Sequence, residues 1–154
     1  TRESQKMRER LLHLGYLQIS GGTKTSVGGY CDPEPEDEET AQFDVNDRRT
    51  LDEVIRWLIE LGYVPSFCTA CYRQGRTGDR FMRLAKTGQI QNCCHPNAIM
   101  TLKEYLEDYA SPETKAAGEK LIAKEVETVP NEKVRMILKD NLEKISTGVR
   151  DLRF

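Results

Sequence analysis

No run of apolar residues in this sequence approaches the roughly 18 needed to cross a bilayer, and no signal peptide opens it. The chain also lacks a surplus of either charge: 23 Lys and Arg stand against 25 Asp and Glu, for a net charge of −2. That balance argues against a dedicated nucleic-acid binder, which would carry a basic excess. No internal repeat is present, so repeat architectures are set aside. What remains fits one ordinary domain or the back part of a larger one: 154 residues, 38% of them apolar, enough for a core. These features point to a soluble cytoplasmic protein with neither membrane nor nucleic acid among its partners. The opening Thr1-Arg2-Glu3 carries no Met, which reads as a fragment whose front lies elsewhere.

Hydrophobic spacing outlines the elements. Residues 3–14 place Met7, Leu11, Leu12 and Leu14 on one face and stop at Gly15, predicting a helix. Tyr16-Leu-Gln-Ile-Ser20 is β-prone and ends at Gly21-Gly22, predicting a short strand before a glycine-punctuated loop over 23–30. Helix, strand and glycine-rich loop in that order read as a piece of an α/β protein. Residues 32–39 hold six acids and two prolines, the composition of an exposed loop. Thr50 with Glu53 forms a capping box ahead of Leu51, Val54, Ile55, Leu58 and Leu61, and Gly62 supplies the stop. Further helices are predicted at about 79–86, from a second capping box (Thr101, Glu104) to about 109, from Ser111-Pro112 to about 127, and from Pro130 to about 146. The second half is almost all helix.

Five cysteines stand in the chain: Cys31, Cys68, Cys71, Cys93 and Cys94. An odd count with a Cys-x-x-Cys pair suggests thiolate chemistry or metal binding more than a disulfide framework. Cys68-Thr-Ala-Cys71 puts two thiols on one tight turn, and Cys94 follows after 22 residues. Between them, Gly75 and Gly78 would let backbone N–H groups approach an anionic centre, and Arg73 and Arg76 would offset its charge. Three readings stay open: a zinc site completed by His95 or Cys93, an iron–sulfur cluster with one iron left without a protein ligand, and reduced, uncoordinated cysteines. The zinc reading makes the chain a zinc-stapled helical interaction module. Cys93 and Cys31 lack a partner at ligand spacing and read as small buried hydrophobes. His95 reads as a polar contact beside the site, and His13 as a surface residue at a helix end.

The cysteine segment resembles a known family. Ser66 to Met82, with its Cys-Thr-Ala-Cys-Tyr-Arg-Gln-Gly-Arg-Thr-Gly core, and Asn92-Cys-Cys-His-Pro-Asn-Ala98 are similar to the radical-SAM tyrosine lyases that mature FeFe-hydrogenases. Ile19 to Tyr30, Ala41-Gln-Phe-Asp44 and Arg150-Asp-Leu-Arg-Phe154 match as well, so the resemblance runs end to end. The Cys-x2-Cys-x22-Cys spacing separates this family from the tyrosine lyases of thiamine synthesis.

The resemblance implies an α/β fold class: the C-terminal end of a TIM-type radical-SAM barrel over 1–64, followed by a mostly helical auxiliary-cluster domain over 65–154. It implies an enzyme that cleaves tyrosine and supplies carbon monoxide and cyanide for the hydrogenase H-cluster. The cofactors implied are an auxiliary 4Fe–4S cluster on Cys68, Cys71 and Cys94, with an open iron for an extra iron and a free cysteine, plus S-adenosylmethionine and a second 4Fe–4S cluster in the full-length enzyme. Tyrosine, S-adenosylmethionine and other hydrogenase maturation proteins would be the partners. Catalytic groups in such barrels sit at the C-terminal ends of strands, which makes Arg2, Ser20 and Lys24 the candidates for binding substrate amino and carboxylate groups. Lys24 stands where relatives are expected to carry arginine, and a lysine lacks the bidentate fork. No Cys-x3-Cys-x2-Cys is present for a SAM cluster, so this chain alone is not expected to cleave SAM or tyrosine.

Overall fold

The computed structural model describes residues 2–16, 18–26, 28–31 and 43–154. The acidic stretch 32–39 lies outside the described residues. Seven helices order the rest: α1 (Gln5–His13), α2 (Leu51–Glu60), α3 (Ala70–Arg73), α4 (Gly78–Lys86), α5 (Ile90–Asp108), α6 (Pro112–Thr128) and α7 (Glu132–Ser146). No strand occurs among the described residues, and no helix there is long and apolar enough to cross a membrane. The strand expected at 16–20 is therefore not formed at Tyr16 or residues 18–20. A strand needs a neighbour to take its backbone N–H and C=O groups, and no described segment pairs with this one in a ladder.

The chain divides into two compact units, Thr1–Ile55 and Arg56–Phe154. In the first, Ser4 caps α1 by accepting from Met7 N–H (3.4 Å), and Gly15 ends it at φ 93°. Gly21 and Gly22 come so close to the first turn of α2 that a Cβ would meet Val54 Cγ1 or Leu51 N at 3.1 Å. The capping box of α2 forms as read: Thr50 N–H donates to Glu53 Oε2 (2.7 Å) and Glu53 N–H to Thr50 Oγ1 (3.3 Å).

In the second unit α5 packs against both α6 and α7. Ile99, Met100, Leu102 and Leu106 of α5, Leu121 and Ile122 of α6, and Leu138 and Ile145 of α7 are buried between them. Truncating one such Leu or Ile to Ala costs about 2–5 kcal/mol. Ser111 and Asn131 cap α6 and α7, as the Ser-Pro-Glu signal and the break at Pro130 suggest. Helix α5 corrects the sequence reading. It starts at Ile90 rather than at Thr101, and carries Cys93, Cys94 and Pro96 within it. Proline here removes one helical rung, and burial of the following apolar residues outweighs that loss. The second capping box is thus no start: Thr101 Oγ1 donates to Ala98 O (3.2 Å) and accepts from Phe67 N–H (3.2 Å).

Candidate metal centre

Four thiols line one cavity of about 360 Å³ in the second unit: Cys68, Cys71, Cys93 and Cys94. Cys68 precedes the short helix α3, Cys71 lies within it, and Cys93 and Cys94 sit in the first turns of α5. The loop is tied down at both ends of the Cys-x-x-Cys. Phe67 N–H bonds Thr101 of α5, and Arg76 N–H closes the turn on Cys71 O at 2.8 Å. Gly75 and Gly78 have φ of 61° and 55°, a backbone other residues rarely adopt. Gly75 N–H is bonded to Tyr72 O (3.3 Å), so this glycine makes the turn rather than presenting its amide to the cavity.

The two arginines differ. Arg73 forms a bidentate pair with Asp151 (2.8 and 3.1 Å). Arg76 lines the cavity, and its Nε is buried with no hydrogen-bond partner. A buried unpartnered guanidinium donor is costly unless something accepts from it. Beside four thiols, the complement is an anionic, sulfur-rich occupant. Burial pushes the Cys94 thiol up to about 12, and the neighbouring Cys93, Cys71 and Cys68 add to the shift. A bound metal cation reverses that balance, since coordination displaces the thiol proton.

Cys93, read from the sequence either as a fourth zinc ligand or as a small buried hydrophobe, lines the cavity; its Sγ lies 3.8 Å from that of Cys94 and 3.4 Å from Gln89 O. His95 faces another way. Its Nε2 is 3.3 Å from Glu125 Oε2 and 3.2 Å from Thr128 Oγ1, and it lines a second pocket with Ile90, Gln91, Pro130 and Cys94, which borders both. Among the described residues, no three His, Cys, Asp or Glu side chains converge closely enough to hold a single metal ion. A zinc ion needs sulfurs about 2.3 Å away, crowded around one point. In a polynuclear cluster, by contrast, each protein thiolate binds a separate iron. Cys31 is exposed, which corrects its reading as a small buried hydrophobe.

The substrate candidates fall in the first unit. Arg2 and Ser20 both line a cavity of about 330 Å³, together with Glu3, Arg8 and Phe43. The Arg2 guanidinium lies 5.1 Å over the Phe43 ring, and Ser20 O accepts from Arg8 Nη2. Lys24 is exposed and does not line this cavity; its backbone N–H donates to the Tyr30 hydroxyl at 3.1 Å. Sequence reasoning missed the buried pair below this cavity. Arg8 Nη1 donates to Asp47 Oδ2, and Arg49 Nε and Nη2 add bonds of 2.8 and 2.6 Å to the same carboxylate. The signal was present: Arg8 stands three and four residues before Leu11 and Leu12, on the apolar face of α1. The Arg49 hydrogen bonds, aided by the Arg8 charge, hold the Asp47 carboxyl down at about 2 against its burial.

Residues 1–64 match the biotin and thiamin synthesis associated domain. No curated protein matches the chain. Over its whole length it is similar to the crystal structure of HydG, a maturase of the [FeFe]-hydrogenase, at 52% identity and a TM-score of 0.90. The chain spans 33% of that protein's length. The family resemblance read in the cysteine segment is thereby shown, and the chain is the counterpart of one third of HydG.

Proposed function

We propose that the chain is the C-terminal part of a radical-SAM tyrosine lyase that supplies carbon monoxide and cyanide to the hydrogenase H-cluster, and that its own contribution is an auxiliary 4Fe–4S site. The observation that carries this reading is the cavity lined by Cys68, Cys71 and Cys94 with the unpartnered Arg76 Nε on its wall. When bound on three thiolates, the cluster offers one iron without a protein ligand, free to take an extra iron with a cysteine. The residues of this chain hold and shape that site. Cys68 and Cys71 grip from one turn, Cys94 grips from α5, Arg76 donates to the anionic occupant, and Phe81 covers one wall. Residues 1–64 would then complete the barrel end and 65–154 the cluster domain.

Arg2 and Ser20 border a cavity suited in size to a small amino acid, and in this reading they face tyrosine or S-adenosylmethionine. Lys24 is the weakest of the three assignments, because it lies off that cavity. The second cluster and other maturation proteins belong to the longer enzyme, which would work in the cytoplasm. The alternative, a zinc staple, would have to be completed by Cys93, since His95 is engaged by Glu125 and Thr128.

Anaerobic reconstitution followed by EPR of the reduced protein, with and without added cysteine, tests the reading. A 4Fe–4S signal that changes on adding cysteine, and that vanishes when Cys68, Cys71 and Cys94 are changed to Ser, is expected. A signal indifferent to cysteine would mean a closed cluster and a different role, such as electron transfer.

A further inference from the structure

The segment Arg150–Phe154 belongs to no helix, yet it runs alongside α5. The Arg150 guanidinium grips Asp108, the last residue of α5, with bonds of 2.8 and 2.6 Å. Asp151 N–H donates to Glu104 Oε1 at 2.7 Å, one turn back. Phe154 N–H donates to Asn97 Oδ1 at 2.9 Å, and Asn97, which is 3% exposed, is part of the wall of the thiol cavity. The segment therefore retraces α5 from its end toward the turn that carries Cys94. The spacing is consistent: seven helical residues rise about 10 Å, and three extended residues span about as much.

From this rail one side chain crosses to the cysteine loop. Both carboxylate oxygens of Asp151 take bonds from Arg73, two residues beyond Cys71. Asp151 is also the one non-glycine residue with positive φ (61°) among the described residues. A left-handed aspartate is tolerated but unfavourable, and such outliers persist where surrounding contacts demand them. Here the backbone N–H is held by α5, while the carboxylate is held by Arg73 of the loop and by Arg153 (3.2 and 3.3 Å) of its own segment. With Phe67 N–H on Thr101, this gives the loop a tie to each side of the Cys-x-x-Cys.

We propose that Arg150–Phe154 is a strap and that Asp151 is a positioning residue for the thiol cavity. Through Arg73 it fixes the loop of Cys68 and Cys71 against α5, which presents Cys94. The strap stands on these contacts alone, and its bearing on a cluster rests on the function proposed above.

The test has two arms. In the cluster-free chain, hydrogen exchange is followed for Asp151→Gly, which keeps the backbone conformation accessible, for Arg73→Met, and for both together. Each single change is expected to speed exchange of amides 68–77 on the order of fivefold, with α6 and α7 unmoved and the double variant no worse than either single. In the reconstituted chain, Asp151→Gly is expected to alter the EPR line shape of the reduced cluster and to hasten iron loss to a chelator. Unchanged exchange over 68–77, or faster exchange spread evenly over the helical unit, overturns the strap. A looser loop with an unaltered EPR spectrum and unaltered iron retention overturns the positioning role. If the wild-type chain takes up no iron and sulfide, the proposed function falls, and the exchange arm still decides the strap.

Discussion

Replacing Asp47 by Asn keeps the shape of a buried side chain and removes its charge. Asp47 is 2% exposed and its partner Arg8 5%, so the change withdraws the counter-charge from a guanidinium that water does not reach. Breaking one side of a buried pair costs about 3–5 kcal/mol. The amide oxygen of Asn still accepts, which places the expectation near the low end, about 3 kcal/mol. The carboxyl itself gives a second handle: held at about 2 rather than 3.8, it contributes roughly 2 kcal/mol. Because the folded value is depressed, that contribution is present above about pH 4 and is lost as pH falls through about 2. The assay is hydrogen exchange of the α1 amides near neutral pH, where Asp47→Asn should quicken exchange roughly a hundredfold. Replacing both partners with apolar residues (Arg8→Met with Asp47→Leu) should recover most of the loss, since a packed apolar pair avoids desolvating charge. Exchange within threefold of wild type in Asp47→Asn would refute the reasoning and make the pair incidental to the first unit.

Other expectations bear on the second unit. A Cβ on Gly118 would lie 2.4 and 2.7 Å from the methyls of Leu106, itself 1% exposed, so Gly118→Val should destabilise by about 1–3 kcal/mol in urea unfolding. Adding Leu106→Ala to it should worsen stability less than that change does alone. Arg76→Met removes a buried donor that has no partner, so the metal-free chain should unfold no earlier, while a reconstituted cluster should lose iron to a chelator faster. Cys93→Ser should leave cluster loading near wild type, whereas Cys94→Ser should abolish it; equal loading in both would mean the two neighbouring thiols interchange.

The sequence carried the local punctuation well. The Thr50–Glu53 box, the Ser111-Pro112 start and the glycine stops all rest on groups within a few residues of one another. Features set by distant contacts were harder to read. The start of α5 was hidden because Pro96 and a capping-box mimic at Thr101 suggested a later beginning, while the burial that sustains the helix comes from α6 and α7. Tyr16–Ser20 reads as a strand by composition, but a strand is a property of its neighbours as much as of itself. At the candidate site, Cys-x-x-Cys and the third cysteine were legible from spacing. The division of labour between Arg73 and Arg76 was not, since it depends on Asp151, 78 residues along the chain. The sequence left open whether Cys93 or His95 joins the three cysteines, because adjacency to Cys94 says nothing about which side chain faces the loop.

Iron, acid-labile sulfide and zinc per chain, measured after anaerobic reconstitution of the wild type and of the Cys68, Cys71 and Cys94 serine variants, test the central claim most directly. The account predicts about four irons and four sulfides per wild-type chain, with one further iron when cysteine is supplied, and loss of both from each variant. One zinc per chain with no sulfide would contradict it and make the cysteines a structural staple.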